Sequence, residues 1–323
     1  MKAIQSATDG TLSWEQTPTP EPQPGEVRIR ISATAVNRAD LMQRAGKYPP
    51  PPGASPILGL ECSGVVDALG EGASMWNLGA EVCALLAGGG YAEYVCVPEG
   101  QVLPVPTGLP VIKAAGIPEV FCTAFLNLFG EGGLKPHQKV LIHAGASGVG
   151  TAAIQLCYIS ENPCWVTVGH AEKIARCVAL GAAGGTNRHW GSFVEDVREW
   201  TGREGVDLIL CPVGADYLSH NQQVLAIEGR LVLIGLLGGR KTELDLGRLL
   251  VKRQRVIGST LRARSVESKS ALCQRMRVAI WPMFETGELT PVIDRIVSIS
   301  EVDAAHEAME ANENIGKIVM TIP

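Results

Sequence analysis

A glycine-rich turn at residues 143–150, with the sequence His-Ala-Gly-Ala-Ser-Gly-Val-Gly, has the composition of a phosphate-binding loop. It follows an apolar run at residues 139–143 and precedes a helical pattern that begins at Thr151. Glycines let the backbone come close to a pyrophosphate, and free N–H groups at the start of a helix face its negative charge. The turn therefore predicts a dinucleotide site, formed by Gly145, Ser147, Gly148, Val149 and Gly150.

The turn departs from the usual G-x-G-x-x-G pattern at one position, because Ser147 replaces the second glycine. A serine still offers its backbone N–H group and adds a hydroxyl. The alternative is that the glycines serve only to let a helix pack closely on a strand. Three further strand–helix units follow the turn, and this context favours the dinucleotide interpretation.

The choice of dinucleotide depends on the end of the second strand, where an acid usually holds the ribose 2′-hydroxyl of NAD. Residues 168–170 read Val-Gly-His and contain no acid, while Lys173 and Arg188 supply cations nearby. Cations without a fixed carboxylate suit a 2′-phosphate, so the sequence favours NADPH, with His170, Lys173 and Arg188 as its contacts. Glu172 argues mildly against this choice, and each cation could instead be an ordinary surface charge.

Two kinds of pattern must position these residues. Short alternating runs bounded by Pro and Gly, such as residues 27–31 and 92–97, predict a compact, barrel-like β domain near the N-terminus. From near residue 120, apolar runs of strand length alternate with helical patterns, which predicts a doubly wound α/β domain with a parallel sheet. These runs lie at residues 139–143, 164–168, 206–211 and 230–235. The later chain predicts a helix over 265–285, a strand over 293–297, a helix over 302–311 and a strand over 317–322.

Composition argues against several other classes of function. The chain of 323 residues has 28 Lys and Arg against 33 Asp and Glu, so its net charge of −5 gives no general attraction to nucleic acid or anionic membranes. Residues 140–160 lack charged side chains and could span a bilayer by length, but their glycines predict a strand, a loop and a helix. Nine cysteines without C-x-x-C spacing, and an N-terminus without an apolar export signal, favour the cytoplasm.

Motifs along essentially the whole chain resemble the medium-chain dehydrogenase/reductase superfamily, in its zinc-free branch of NADPH-dependent quinone oxidoreductases. They lie at residues 37–44, 46–53, 58–65, 85–94, 144–150, 229–239, 261–264 and 312–317. The resemblance implies an α/β fold with three parts: a GroES-like β domain at 1–119, a doubly wound Rossmann-type domain at 120–260, and a C-terminal return to the first domain at 261–323. It also implies a substrate cleft between the domains, and homodimers or homotetramers.

The same resemblance shows which metal ligands the chain lacks. Zinc alcohol dehydrogenases of this superfamily carry a cysteine at the position of Asn37 and a histidine at that of Leu60, and they insert a four-cysteine lobe after the position of Gly90. Tetrahedral zinc needs three protein ligands, so we expect a metal-free site. His143 lies on the strand before the glycine turn, and we expect it to be a core or loop histidine rather than a ligand.

Quinone reduction suits a site without metal, because the electron-poor ring accepts a hydride readily once it is held near the donor. The resemblance thus implies hydride transfer from NADPH to a small-molecule quinone or other electron-poor acceptor. One alternative is an NADPH-dependent reductase of α,β-unsaturated aldehydes or ketones. Another is a non-catalytic NADPH-binding protein, as the lens crystallins of this superfamily illustrate.

Tyr48 and Asn37 are the candidate catalytic residues. Tyr48 precedes the four-proline run at 49–52, which could hold its phenol at the acceptor, although it could also be a packing aromatic. Asn37 could bond the nicotinamide or the acceptor through its amide, but with Asp40 it also has the pattern of a helix N-cap. The resemblance places further residues near the cofactor: Thr123, Gly235, Leu236, Leu261, Arg262 and Asn314.

Overall fold

The computed structural model describes residues 1–7 and 9–323. The chain forms two compact units, one made of Met1–Cys122 and Leu261–Pro323 and the other of Thr123–Thr260. The strands are β1 (Lys2–Ser6), β2 (Leu12–Gln16), β3 (Glu26–Ala35), β4 (Glu61–Leu69), β5 (Glu81–Leu85), β6 (Tyr94–Pro98), β7 (Val102–Pro104), β8 (Val140–His143), β9 (Cys164–Val168), β10 (Gly184–Asn187), β11 (Val206–Cys211), β12 (Leu225–Leu233), β13 (Arg255–Gly258), β14 (Ile293–Ser298) and β15 (Lys317–Thr321).

Helices connect these strands in both units. The α-helices are α1 (Arg38–Arg44), α2 (Val111–Ala114), α3 (Pro118–Phe125), α4 (Gly148–Ile159), α5 (Ala171–Ala179), α6 (Phe193–Trp200), α7 (Ala215–Val224), α8 (Leu246–Val251), α9 (Val266–Ala279), α10 (Trp281–Glu285) and α11 (Val302–Glu310). A π-helical turn, Leu126–Glu131, continues α3. Short 3₁₀ turns lie at Glu99–Gln101 and Ile299–Glu301.

The first unit is built on a sheet with the order β14-β15-β3-β4-β5-β7, in which β6 also pairs with β3. Alternate residues of β3, namely Val27, Ile29 and Ile31, are buried in the core, which matches the alternation in the sequence. The C-terminal strand β15 pairs antiparallel with β3, so the end of the chain completes the sheet of the first unit. This sheet carries α1 at the end of β3, where the catalytic candidate Asn37 lies.

The second unit is a parallel sheet with the order β10-β9-β8-β11-β12-β13. All four residues of β8 are buried, as expected for a strand that is covered on both faces. Because the strands are parallel, their carboxyl ends lie along one edge, where ligands bind in such sheets. The predicted fold class, a GroES-like β domain with a doubly wound parallel-sheet domain, is confirmed.

The structure corrects the predicted helix at 265–285. It is two helices, because α9 ends at Ala279 and α10 begins at Trp281 after Ile280, whose backbone is not helical. Pro282 occupies the first turn of α10, where its missing N–H group costs nothing, whereas it would interrupt a continuous helix. The other predicted elements near the C-terminus are present, with ends that differ by one residue.

Two apolar stretches have the length of a bilayer span. The predicted strand, loop and helix at residues 140–160 are confirmed as β8, the glycine turn and α4. The second stretch, the helical segment Val111–Glu131, was not predicted, and it is long and apolar enough to cross a membrane by length and composition. Seventy-two per cent of its most apolar window is buried inside the fold, as is usual for a helix that packs in a protein core.

Candidate functional site

The glycine turn joins β8 to α4 at the carboxyl edge of the parallel sheet. Ser147 is the N-cap of α4, and its hydroxyl accepts a hydrogen bond from the backbone N–H of Gly150 at 3.0 Å. The N–H of Ser147 itself donates to the Ala144 carbonyl, so it is not available in the way the sequence analysis expected. The N–H groups of Gly148 and Val149 lie in the first turn of α4, where no intrahelical carbonyl can accept a hydrogen bond from them. Both residues are half-exposed, so these N–H groups are suited to bind an anion.

Two glycines of the turn are needed for close packing. A Cβ atom at Gly145 would lie 2.6 Å from Cβ of Val166, on the neighbouring strand β9. A Cβ atom at Gly150 would lie 2.4 Å from the carbonyl oxygen of Ala144. The helix start therefore sits directly against the strand end, which is the arrangement that brings its dipole to a bound phosphate.

The residues proposed to hold a 2′-phosphate follow β9 and β10, the next two strands along that edge. His170 is the N-cap of α5, and Lys173 lies in the first turn of that helix. The guanidinium of Arg188 lies beside Gly169, since a Cβ atom there would be 3.4 Å from Nη2 of Arg188. The rings of His170 and His189 are 6.4 Å apart, so this corner of the unit concentrates cationic and imidazole groups.

Other cofactor candidates are divided between the two units. In the second unit, the Thr123 carbonyl accepts from Nδ2 of Asn127 at 2.8 Å, just before the π-helical turn. Gly235 follows β12 and packs on Pro212, because a Cβ atom at Gly235 would lie 2.8 Å from the Pro212 carbonyl oxygen. Leu236 is 48% exposed at the same edge. In the first unit, Leu261 is buried, and Nδ2 of Asn314 donates to the Gly316 carbonyl at 2.7 Å.

His143 is a core histidine, as predicted. It is 1% exposed, with Nδ1 2.9 Å from Thr167 Oγ1 and Nε2 2.7 Å from Asn221 Oδ1. Burial lowers its pKa to about 4, with the Asn221 hydrogen bond acting in the opposite direction. The ring is therefore neutral at physiological pH, and its two nitrogens are already used to join β8 to β9 and α7.

Asn37 is the N-cap residue of α1, where its backbone N–H donates to Oδ2 of Asp40 at 2.8 Å. Its side-chain amide is also engaged, because Nδ2 donates to Glu61 Oε1 at 2.9 Å and to the Ala35 carbonyl at 3.2 Å. Its Oδ1 accepts from Nζ of Lys317 at 2.7 Å. The N-cap interpretation of Asn37 is thus confirmed, and both amide protons are used within the protein.

The buried ammonium group of Lys317 lies beside Asn37, at whose position the zinc alcohol dehydrogenases of the superfamily carry a cysteine ligand. Nζ of Lys317 is 2.8 Å from Oε1 of Glu61 and donates to the Val36 carbonyl at 2.6 Å as well as to Asn37. Glu61 Oε2 accepts from the backbone N–H of Glu119 at the start of α3. Among residues 1–7 and 9–323, no cluster of three His, Cys, Asp or Glu side chains could hold a metal ion. These residues do not fit zinc, since the carboxylate is already paired with an amine and an amide.

Tyr48 and Arg262 are distant in sequence, and the fold brings them together. The guanidinium carbon of Arg262 lies 5.4 Å from the centre of the Tyr48 ring. Burial raises the pKa of the Tyr48 phenol, with Arg262 acting in the opposite direction, so the hydroxyl is protonated at neutral pH and can donate a hydrogen bond. Tyr48 is half-buried and its neighbours Lys47 and Pro49 are exposed.

A buried chain of polar side chains, which no sequence pattern predicted, adjoins Asn37. Asp40 accepts from the N–H of Gly59 and from the hydroxyl of Tyr91, and that hydroxyl also lies 3.1 Å from Nε2 of His306. Burial raises the pKa of Asp40 to about 6 and lowers that of His306 to about 4. The only sequence signal was the spacing of Asn37 and Asp40, because the other members come from remote segments.

Comparison with known families matches two parts of the chain. Residues 23–107 match the alcohol dehydrogenase GroES-like domain. Residues 180–320 match a family described as zinc-binding dehydrogenase.

Comparison with characterised proteins finds relatives of similar sequence over most of the chain. The human synaptic vesicle membrane protein VAT-1 homolog is 30% identical over 310 residues, which cover 90% of this chain and 77% of that protein. The Danio rerio homolog is 30% identical over 311 residues and 90% of this chain, but this chain spans only 63% of that relative's length.

Solved structures share the whole fold. An NAD-dependent alcohol dehydrogenase is 30% identical with a TM-score of 0.87, covering 100% of both chains. The JamJ enoyl reductase is 26% identical with a TM-score of 0.88, covering 100% of this chain and 99% of that one. A quinone oxidoreductase of Pseudomonas syringae pv. Tomato DC3000 is 26% identical with a TM-score of 0.87 and 99% coverage of both. Mycobacterial Rv1454c complexed with NADPH is 27% identical with a TM-score of 0.87 over 100% of both.

Proposed function

Since the chain belongs to the quinone oxidoreductase-like branch of the medium-chain dehydrogenase/reductase superfamily, we propose that it is an NADPH-dependent quinone oxidoreductase that works without a metal ion. The chain is an oxidoreductase of this superfamily, and its solved relatives include enzymes named for quinone, enoyl and alcohol substrates. The proposal therefore concerns the acceptor, the coenzyme and the absence of zinc.

The observation that carries the proposal is the Lys317–Glu61–Asn37 cluster. In it an ammonium group and an amide both bind Oε1 of Glu61, beside Asn37, whose position carries a cysteine in the zinc enzymes of this superfamily. Alcohol oxidation uses a metal or a base to take up the proton as hydride leaves. A quinone needs no such activation, so this set of residues suits reduction of an electron-poor acceptor.

NADPH fits the carboxyl edge of the parallel sheet. The first turn of α4, with the N–H groups of Gly148 and Val149, would hold the pyrophosphate, and the close packing at Gly150 supports that use. Arg188 beside Gly169, together with Lys173, would pair with the 2′-phosphate, because the end of β9 carries no acid. When bound, the reduced nicotinamide supplies a hydride to the acceptor.

Tyr48 is the proposed hydrogen-bond donor to the acceptor. Its phenol stays protonated because burial raises its pKa, and the proline run that follows limits the backbone freedom of its loop. Asn37 has no free amide proton to offer, so we assign it to positioning: it joins α1 to Glu61 and Lys317. The site would act mainly by holding the acceptor near the hydride donor.

Reduction of α,β-unsaturated carbonyl compounds is the second candidate, because enoyl reductases are among the structural relatives. Both functions deliver a hydride to an electron-poor carbon and differ in the shape of the acceptor. A non-catalytic NADPH-binding protein is a third possibility, which predicts coenzyme binding without turnover.

Steady-state assays of the purified full chain with ortho-quinones, para-quinones and enones, each with NADPH and NADH, test the proposal. We expect the highest kcat/KM for NADPH with a quinone, and no loss of rate after treatment with a metal chelator. Faster turnover of enones would favour the second candidate. Stoichiometric zinc in the active protein, measured by mass spectrometry, would contradict the metal-free assignment.

A further inference from the structure

Arg262 is a buried cation that is only partly satisfied. The residue is only 4% exposed. Nε donates to the Ala87 carbonyl at 2.8 Å, and Nη2 donates to Oε1 of Gln43 at 2.7 Å. The partners of Nε and Nη2 are therefore neutral groups, although Asp40 and Glu119 are near enough for their charges to act on the guanidinium. Burial, the main effect, lowers its pKa.

Nη1 of Arg262 is buried and has no hydrogen-bond partner among the described residues. A buried donor without a partner loses its hydration without replacement, which is unfavourable, and more so for a charged group. Most buried polar atoms in native proteins have partners, so such an exception calls for an explanation. A bound ligand atom that accepts hydrogen bonds would supply the missing partner.

Tyr48 is the aromatic neighbour of the Arg262 guanidinium. The Tyr48 ring lies over the guanidinium of Arg262, at 5.4 Å, and is half-buried within a loop whose neighbouring residues are exposed. Tyr48 is thus a partly exposed neighbour of a guanidinium that is itself buried, and a ligand that displaced the ring would approach Arg262 from this side. Gln43 holds the other side of the guanidinium in place, because its Nε2 donates to the Pro56 carbonyl while its Oε1 accepts from Nη2.

We propose that Arg262 binds the carbonyl oxygen of the acceptor through Nη1 and stabilises the negative charge that forms on that oxygen. This inference rests on the proposed reductase function and names the acceptor group that the protein recognises, the oxygen of a conjugated carbonyl. Arg262 would then be a substrate-binding residue rather than only a cofactor contact. Without substrate, the Tyr48 ring would shield the Arg262 guanidinium. With substrate bound, the Tyr48 hydroxyl would be the second hydrogen-bond donor to the acceptor oxygen.

The reaction balances with groups already named. The acceptor gains a hydride, which carries two electrons and forms one new bond to hydrogen, and the nicotinamide is oxidised by two electrons. The acceptor is left with a negative oxygen, which a guanidinium can stabilise as an oxyanion. A proton from solvent, passed through or beside the Tyr48 hydroxyl, then completes the reduced product.

A binding experiment separates this proposal from catalysis. The probes are 4-nitrophenolate, which carries an anionic oxygen on an aromatic ring, and nitrobenzene, which has no such oxygen. Their affinities for the full chain are measured by calorimetry with NADP⁺ present, at a pH where the phenol is ionised. Wild type should bind the phenolate about 10- to 100-fold more tightly than nitrobenzene, the range expected for one charge-assisted contact.

Arg262→Met should abolish that preference, while Arg262→Lys should restore part of it because the charge is kept and the planar fork is lost. Arg30→Met is the matched control, since Arg30 is exposed on β3 of the same unit. It should leave the preference unchanged. A preference that survives in Arg262→Met, or that is absent from wild type, overturns the proposal.

A second variant keeps the test valid if Arg262→Met does not fold. Gln43→Glu is nearly isosteric and places a carboxylate on Nη2 of Arg262, so it should reduce the phenolate preference about tenfold or more by neutralising the guanidinium. An unchanged preference in Gln43→Glu overturns the proposal. Phenolate preference without turnover of any carbonyl acceptor would instead contradict the reductase function and leave the oxygen site in place.

Discussion

Lys317 and Glu61 form a buried ion pair, with Nζ 2.8 Å from Oε1 and the side chains 3% and 0% exposed. Lys317 is the first residue of β15 and Glu61 the first residue of β4, and their common partner Asn37 caps α1. The pair thus joins the start of β15 to the start of β4, and Asn37 links both strands to α1. A lone buried charge is costly, so each partner depends on the other for its burial.

Removal of the Lys317 charge should destabilise the protein strongly. Lys317→Met leaves Glu61 as an uncompensated buried carboxylate, and we expect the free energy of unfolding to fall by about 3–5 kcal/mol in urea titrations. The double variant Lys317→Met with Glu61→Gln should recover part of that loss because no charge is left unpaired. Arg253→Met, which removes an exposed ion pair with Glu228, is the control and should change stability by less than about 1 kcal/mol.

Arg188 should determine the preference for NADPH. We expect Arg188→Met to raise the KM for NADPH about 10- to 100-fold, since a well-formed charge-assisted contact contributes about 1.5–3 kcal/mol. The KM for NADH should hardly change, because NADH has no 2′-phosphate. Arg176→Met removes an exposed charge from the end of α5 and serves as the control. Equal effects of Arg188→Met on both coenzymes would remove the 2′-phosphate assignment.

Gly150 should tolerate no side chain. In Gly150→Ala the new Cβ atom would meet the carbonyl oxygens of Ala144 and Gly145 at 2.4 and 2.5 Å, so α4 must move away from the turn. We expect a loss of about 1–3 kcal/mol in stability and a large loss of NADPH affinity, measured by thermal unfolding and by fluorescence titration. Gly258→Ala has nothing within 4 Å of its Cβ atom and should bind NADPH as wild type does.

Stability should depend on pH through the buried histidine of β8. The pKa of His143 is about 4 in the folded protein against an ordinary 6.5, so between these values the unfolded chain binds more protons and stability rises with pH. This contribution is at most about 3 kcal/mol over that range. Asp40 acts in the opposite direction, because its pKa is raised to about 6, and it makes the wild-type curve shallower.

His143→Gln should therefore remove part of the rise in unfolding free energy between about pH 4 and 6.5, measured by denaturant titration at several pH values. His137→Gln is the comparison, because its imidazole is 75% exposed. If His143→Gln and wild type show the same pH dependence, the histidine is not neutral by burial.

Much of the second unit could be predicted from short patterns. The runs at 164–168 and 206–211 became β9 and β11 with the same ends, because a buried parallel strand requires a continuous apolar run. The helix at 265–285 was wrong because periodicity alone does not show that Ile280 leaves helical geometry before Pro282. The π-helical turn after α3 has no sequence signal of this kind and was not predicted.

The sequence by itself determined the glycine turn, the cations after β9 and β10, and the parallel sheet that presents them, because each depends on residues that are neighbours along the chain. Only the tertiary structure decided which side chains surround Asn37 and Arg262, the residues of the proposed site. Asn37 meets Lys317 across 280 residues and Gln43 meets Arg262 across 219 residues. Such contacts depend on which strands pair and how helices pack on them, and local patterns of hydrophobicity and charge do not encode that choice.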